Sequence, residues 1–469
     1  MRPAPRTSAR RDLPTSARSF ARRKVGSSAR WDLRTSARWD LRTSARRDLP
    51  TSAHPGAVTL VRPRPDLRVL TAAQLIASTG DGAYIVTSAL YFTGVVGMSP
   101  AQVGVGLTLG WAVGAVAGVP LGHLADRRGP RGVAVLLALA TAVAVASFVL
   151  VRSFAPFVVV ACAYGAAQTG LSAARQALLA GLVEATSRTR TRAALQSAHN
   201  AGLAIGAALG GLALHLNVRE AYLTVLLVDA ACFVAAALVL LRLPAVPPAP
   251  VVAGPRLAVL RDRPYALVTL INTVMLLYMP MLSLIVPLWI AQRTAAPTWS
   301  VSALLLVNTA GVVLFQVRVA GRIRGLADAS SAVRLAGLVM LGACAVFALS
   351  AFGSSPWTAV AVLLAGVALQ VTAELLLASG SWEISFSLAP EDKQGQYQGF
   401  FGSGTAVARM LGPALLTTLV MGWGTSGWIV LGLVFVGAGA AMPPAVRWAR
   451  RRTALPDGAV PADGAALPE

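Results

Sequence analysis

The sequence predicts an all-α polytopic membrane protein with twelve transmembrane helices in two six-helix halves and both termini on the cytoplasmic side. Three observations carry that prediction. Of the 469 residues, 55% are apolar and 13% charged, and mean hydropathy is +0.64, far from the balance of a soluble domain. From about residue 69 to 447 the chain falls into twelve apolar segments, each long enough at about 1.5 Å per residue to cross a hydrocarbon core of roughly 30 Å. Basic residues then alternate between the gaps in the way that fixes membrane orientation.

The segments run approximately over 69–95, 101–122, 132–151, 156–182, 193–215, 220–241, 265–290, 298–320, 333–353, 356–384, 396–421 and 425–446. Glycine is frequent inside them, which in lipid lets helices approach closely. With the termini inside, eighteen basic residues fall in the inner gaps and C-terminal flank, against Arg152, Arg219 and Arg293 in the outer gaps. That is a strong positive-inside bias. Trp289, Trp299, Trp357, Trp423 and Trp428 all fall near the outer interface in this reading, where amphipathic rings prefer to sit.

Residues 1–68 form an imperfect octad repeat, with TSARRDLP at 7–14 and 43–50, SSARWDLR at 27–34 and TSARWDLR at 35–42. Rich in Arg and Ser with little to bury, this leader is expected to be disordered; dispensable sequence, such as a start assigned too early would add, is the favoured reading, and a polybasic arm at the anionic inner leaflet is the alternative. No cleavable signal peptide is expected, because the first apolar core begins near Leu70. The N-terminal half is assigned to 69–241, a Pro-rich cytoplasmic linker to 242–264, the C-terminal half to 265–447 and a disordered cytoplasmic tail to 448–469. The net charge of +22 does not point to nucleic acid, since 17 of the 41 basic residues precede position 69 and most others sit in short gaps. Cys162, Cys232 and Cys344 each lie in a separate apolar run, a spacing that provides no disulfide framework or metal site.

Residues 118–132 read GVPLGHLADRRGPRG between the second and third segments. Gly122 and Gly129 allow a tight turn and close helix approach, and a carboxylate at Asp126 can accept bonds from the free N–H groups of a neighbouring helix N-terminus. The pattern Gly122, Asp126, Arg127, Gly129, Arg131 resembles the loop signature of the major facilitator superfamily, with Pro130 at a position that is usually basic. The resemblance covers about 69–447. It implies that Asp126 latches the cytoplasmic side in the outward-open state against the start of the eleventh helix, with Arg127 and Arg131 as gate-pairing and orientation charges. In the fifth segment, GLAIGAALGG with Gly202, Gly206, Gly210 and Gly211 is similar to the glycine motif of the superfamily's drug:proton antiporters, although Ala207 stands where that motif has proline. A Gly-rich face is also an ordinary packing device. Residues 156–174 carry no basic side chain, whereas many proton-coupled exporters place an arginine there. This departure speaks against proton coupling by their usual route.

Charges inside the membrane cost about 2.5 to 3.5 kcal/mol on insertion scales, so they are functional candidates. Asp81 stands about twelve residues into the first segment, near the midplane, and is the first candidate for binding a proton or cationic substrate. Glu374 is the second, because the superfamily's tenth helix lines its cavity. Asp229 is expected to be a structural polar contact. Arg175 and Arg409 could neutralise these acids or snorkel to the inner surface. Tyr84, Gln168, Asn272 and Tyr278 would add polar contacts to a mainly apolar cavity, a lining that suits an amphipathic organic molecule better than a sugar.

The function expected is secondary active export of a small amphipathic organic compound by proton antiport with alternating access. Uptake symport, facilitated diffusion and a non-transporting membrane sensor are the alternatives. There is no nucleotide-binding loop, no metal-spaced His or Cys cluster and no nucleophile–base pair, so neither ATP, a metal, another cofactor nor enzymatic catalysis is expected. The partners expected are the substrate, protons and the lipid bilayer, for a monomer in the plasma membrane, or the inner membrane where a cell has two.

Overall fold

The computed structural model describes residues 65–216, 218–249, 257–352 and 355–453, and these residues are all-helical apart from short connections. The octad repeats lie outside the described residues. Of the expected leader, 65–68 instead open the first helix, α1, which runs Pro65–Leu90 and continues as a π-turn over Tyr91–Val95. There follow α2 (Pro100–Arg128), α3 (Pro130–Ser147), α4 (Phe154–Leu182), α5 (Ala185–Leu216) and α6 (Arg219–Leu240). The second set comprises α7 (Arg263–Arg293), α8 (Ser300–Ala320), α9 (Leu326–Leu349), α10 (Pro356–Leu388), α11 (Gln394–Leu416, continued over Thr417–Met421) and α12 (Thr425–Thr453). Residues 448–453, assigned from sequence to a disordered tail, belong to α12.

Each of the twelve expected segments is helical, and ten of these helices are by themselves long and apolar enough to cross a membrane. The two that fall short are α1 and α5, which are long enough but carry Gln74, Asp81, Arg188, Arg190, Arg192, Gln196, His199 and Asn200. Their polar side chains have a physical destination, described below.

Local sequence sets the ends and bends. Ser99 caps α2 by accepting from the backbone N–H of Gln102, whose side chain accepts from the Ser99 N–H in return, with Pro100 in the first turn; this capping box satisfies two otherwise orphaned donors. Gly129 adopts φ +90° between α2 and α3, a backbone region that disfavours residues with a Cβ. Within α7, Pro280 and Pro287 lack the N–H that an α-helix needs, and the helix passes through a 3₁₀ turn at Leu276–Tyr278 and a π-turn at Met281–Ile285.

Buried apolar side chains form two large clusters. One is built almost entirely from α1 to α6, with Phe386 of α10, and the other almost entirely from α7 to α12, with Val119 of α2. Outward-facing Leu150, Val116, Val159, Leu306 and Phe352 are exposed, as lipid-facing positions are. Two of the five tryptophans expected at the interface are instead core residues. Trp289 is buried and donates to the Phe347 carbonyl at 3.1 Å, with its ring edge-on to buried Trp428 at 5.8 Å. Their apolar area outweighs an interfacial seat once the indole N–H of Trp289 finds a partner. Trp299, Trp357 and Trp423 are exposed.

Candidate functional site

A cavity of about 810 Å³ opens between the two sets of helices. Asp81 on α1 stands sixteen residues after Pro65 and fourteen before Val95, which puts it roughly midway along its helix at about 1.5 Å per residue. Glu374 is similarly central in α10. Both line the cavity, as do Tyr84, Gln168, Asn272, Tyr278, Arg175 and Arg409.

Neutral donors hold both carboxylates. Asp81 Oδ1 accepts from Gln168 Nε2 at 2.9 Å and from the Tyr164 hydroxyl at 3.2 Å, and Gln168 also donates to that hydroxyl at 3.0 Å. Tyr164 is fixed against Tyr84, centroids 5.4 Å apart, and Tyr84 against Phe148 at 5.9 Å. Across the cavity, Glu374 Oε2 accepts from Asn308 Nδ2 at 2.9 Å, with Tyr278 beside it. Asn272 Oδ1 accepts from Ser381 at 2.7 Å.

Among the described residues, the ion pairs that would neutralise these acids are not formed. Arg175 donates to Gln74 Oε1 at 3.2 Å, and the Arg409 guanidinium lies over the Trp111 ring at 4.9 Å. Nor does either arginine snorkel. Arg409 is fifteen residues into α11, roughly 22 Å along the helix, and both side chains turn into the cavity. Asp229 is outside the lining. It is fully buried on α6 behind α1, where the missing side chain of Gly80 leaves room for its carboxylate, and neither of its oxygens has a hydrogen-bond partner. The structural polar contact expected of it is therefore absent. Gly82 admits the backbone of Leu203 on α5, and α1 stays helical through both glycines.

Several lining residues were not singled out from sequence. Gln74, Ser78 and His199 form a triad, with Ser78 Oγ 2.6 Å and Gln74 Nε2 3.2 Å from His199 Nδ1. Arg192 lies over the Trp382 ring at 5.7 Å. A signal existed: Arg192, Gln196 and His199 recur at helical spacing, which puts them on one face of α5.

The end of the bundle carrying Arg127, Arg128 and Arg131 is closed. Asp126 Oδ1 accepts from the Gly395 N–H at 2.6 Å and Oδ2 from the Gln396 N–H at 2.8 Å. Both amides lie in the first turn of α11, where the helix itself offers no acceptor and its dipole also favours an anion. Hydrogen bonds to a charged group contribute about 1.5 to 3 kcal/mol each. Gly122 meets Gly395, and Gly118 meets Gly399, backbone to backbone. A second tie joins the halves where Thr189 on α5 donates to Glu383 on α10 at 2.5 Å. Arg131 pairs with no gate acid; it donates to the Leu243 carbonyl at 2.7 Å, while Arg127 is exposed. On α5, Gly202, Gly206 and Gly210 press against the backbone of α1, whereas nothing lies near Gly211.

Comparison with known proteins agrees with this architecture. The human organic anion transporter MFSD10 (TETRAN) is similar in structure, with TM-score 0.65 at 18% identity over 81% of this chain and all of that one. A bacterial homologue of the iron transporter ferroportin in an outward-facing state gives TM-score 0.67 at 15% identity, over 83% of this chain and all of that one. The proton:xylose symporter XylE bound to 6-bromo-6-deoxy-D-glucose gives 0.63 at 13%, over 81% of this chain and 95% of that one. At these identities the likeness concerns the fold. No curated protein sequence matches the chain. Residues 70–413 match the sequence model of the Major Facilitator Superfamily, and with that match over most of the chain, two packed helical halves and a cavity between them, the protein belongs to the Major Facilitator Superfamily.

Proposed function

We propose that this protein is a monomeric secondary active transporter of the plasma membrane, which exports a small amphipathic organic compound in exchange for protons. Twelve spans with both termini cytoplasmic place the Arg-rich end inside, and the closed contact at Asp126 is then a cytoplasmic gate. The drug:proton antiporter branch is the closest fit to its glycine and loop motifs.

The observation that carries this reading is Asp81, midway across the bundle, bound by Gln168 and Tyr164 rather than by an arginine. A carboxylate held by neutral donors can take up a proton without leaving a partner charge buried and unpaired. Its charge then changes the balance within the cavity. That change biases the inward- and outward-open states to the extent that the proton binds one more tightly than the other. Glu374, on the other half, has the same kind of setting and is the second proton candidate. The mixed lining of tyrosine, tryptophan, glutamine and small residues suits an amphipathic molecule.

The test is accumulation of a panel of amphipathic dyes in cells and everted vesicles, with and without a proton gradient. The expected result is gradient-dependent extrusion that a protonophore abolishes. Extrusion unaffected by collapse of the gradient would exclude antiport. Gradient-driven accumulation in intact cells would make the protein an uptake symporter.

A further inference from the structure

We infer that the transported compound is an organic anion, and that Arg175 and Arg192 receive its carboxylate or sulfonate group. The inference rests on the transport reading above and specifies its substrate class. Three arginines line the cavity against two carboxylates, so the cavity is net positive whether the acids are ionised or protonated. The acids are already occupied by neutral donors, whereas the arginines hold unused hydrogen-bonding capacity. Nε and Nη2 of Arg175, both shielded from solvent, have no partner, and neither has Nε of Arg192. Arg175 and Arg192 come close enough for their charges to repel, and among the described residues neither meets a carboxylate within ion-pair distance.

Buried donors without acceptors are costly, and buried unpaired charges more so. Planar guanidinium groups match the two oxygens of a carboxylate or sulfonate in a way that an ammonium does not. Trp382, beneath Arg192, and Trp111, beneath Arg409, offer flat apolar faces to the body of the same molecule. A cationic compound would find Asp81 and Glu374 but would also have to approach three guanidinium groups. The surplus of donors therefore favours an anion.

Three probes sharing one fluorophore separate the charge types: dansylglycine, an anion; dansylglycinamide, neutral; and N-dansylethylenediamine, a cation. Binding to the purified full-length protein in detergent is read from energy transfer between tryptophan and the dansyl group, since Trp111 and Trp382 line the cavity. Dansylglycine should bind at least tenfold more tightly than the amide, and the cation most weakly. Arg175→Gln should remove most of that advantage, weakening dansylglycine far more than the amide, and Arg175→Lys should keep part of it. Equal binding of the three probes, preference for the cation, or no binding of dansylglycine would each overturn the inference. Should Arg175→Gln not yield folded protein, the probe ranking on the unaltered protein decides alone. Displacement of dansylglycine by phosphatidylglycerol but not phosphatidylcholine would identify the anion as a lipid, and resistance to both as a soluble compound. Failure of the transport reading looks different: dansylglycine would still bind, yet no gradient would drive its movement.

Discussion

Asp126 and Gly395 stand 269 positions apart in the chain, yet the carboxylate of one accepts the backbone N–H of the other at 2.6 Å. One side chain thus joins the two halves at the closed end, and it does so through a helix N-terminus whose free amides need an acceptor.

Asp126→Asn keeps the shape of this contact but removes its charge, and turns one acceptor into a donor facing the Gln396 N–H. The closed-to-open ratio at this end should fall by about tenfold or more, the factor that follows from losing about 1.4 kcal/mol or more. Nitroxide labels at exposed Arg128 and Glu391, with distances read by pulsed electron resonance, should show a longer separation in the variant. An unchanged distance distribution would mean that the contact does not hold the gate.

The glycine contacts predict the same shift by another route. A Cβ at Gly118 would come within 2.9 Å of the Gly399 carbonyl, so Gly118→Val should force α2 and α11 apart at the closed end. The same label pair should lengthen in Gly118→Val while Asp126 is intact. A variant that keeps the short distance would show that the backbones can slide past one another.

The α5 glycines separate into two kinds. A Cβ at Gly202 would lie 2.7 Å from the Leu75 carbonyl, while nothing lies within 4 Å of Gly211. Gly202→Val should therefore destabilise the protein by about 1 to 3 kcal/mol or more through overpacking, and Gly211→Ala should be close to neutral. Thermal unfolding of the two variants in detergent compares them directly. Similar melting points would contradict the close α1–α5 packing.

Much of the fold was legible because long apolar runs with basic gaps have few other solutions in a membrane. The loop at Gly122–Arg131 also announced its place between α2 and α3. Depth and facing were harder to read. Arg409 could reach either the acids or the inner surface from the segment 396–421, and hydropathy does not say which way a long side chain turns; in the helix that begins at Gln394 it turns into the cavity.

Asp229 illustrates the second difficulty. A buried acid is conspicuous in sequence, but whether it faces the cavity or the back of α1 depends on the rotation of α6, which an apolar helix does not encode in its hydropathy. Arg192 and His199 were missed for the opposite reason. Arg192 lies in the charged gap just before the segment 193–215 and His199 in the polar start of that segment, and only the packing of α5 against α1 turns that face inward. The lower apolarity of α1 and α5 follows in part from the same fact, since Gln74, Asp81, Arg192, Gln196, His199 and Asn200 line the cavity.

The central claim, proton coupling at Asp81, is tested most directly by Asp81→Asn in reconstituted vesicles. Asparagine can still accept from Gln168 and Tyr164, so folding and substrate exchange should persist, but it cannot carry the proton. With a substrate found in the gradient assay, the account predicts that counterflow of labelled substrate stays within about twofold of the unaltered protein, the scatter expected when ground-state contacts are kept, while uphill transport driven by a pH gradient is lost. Uphill transport at an unchanged rate in Asp81→Asn would contradict it.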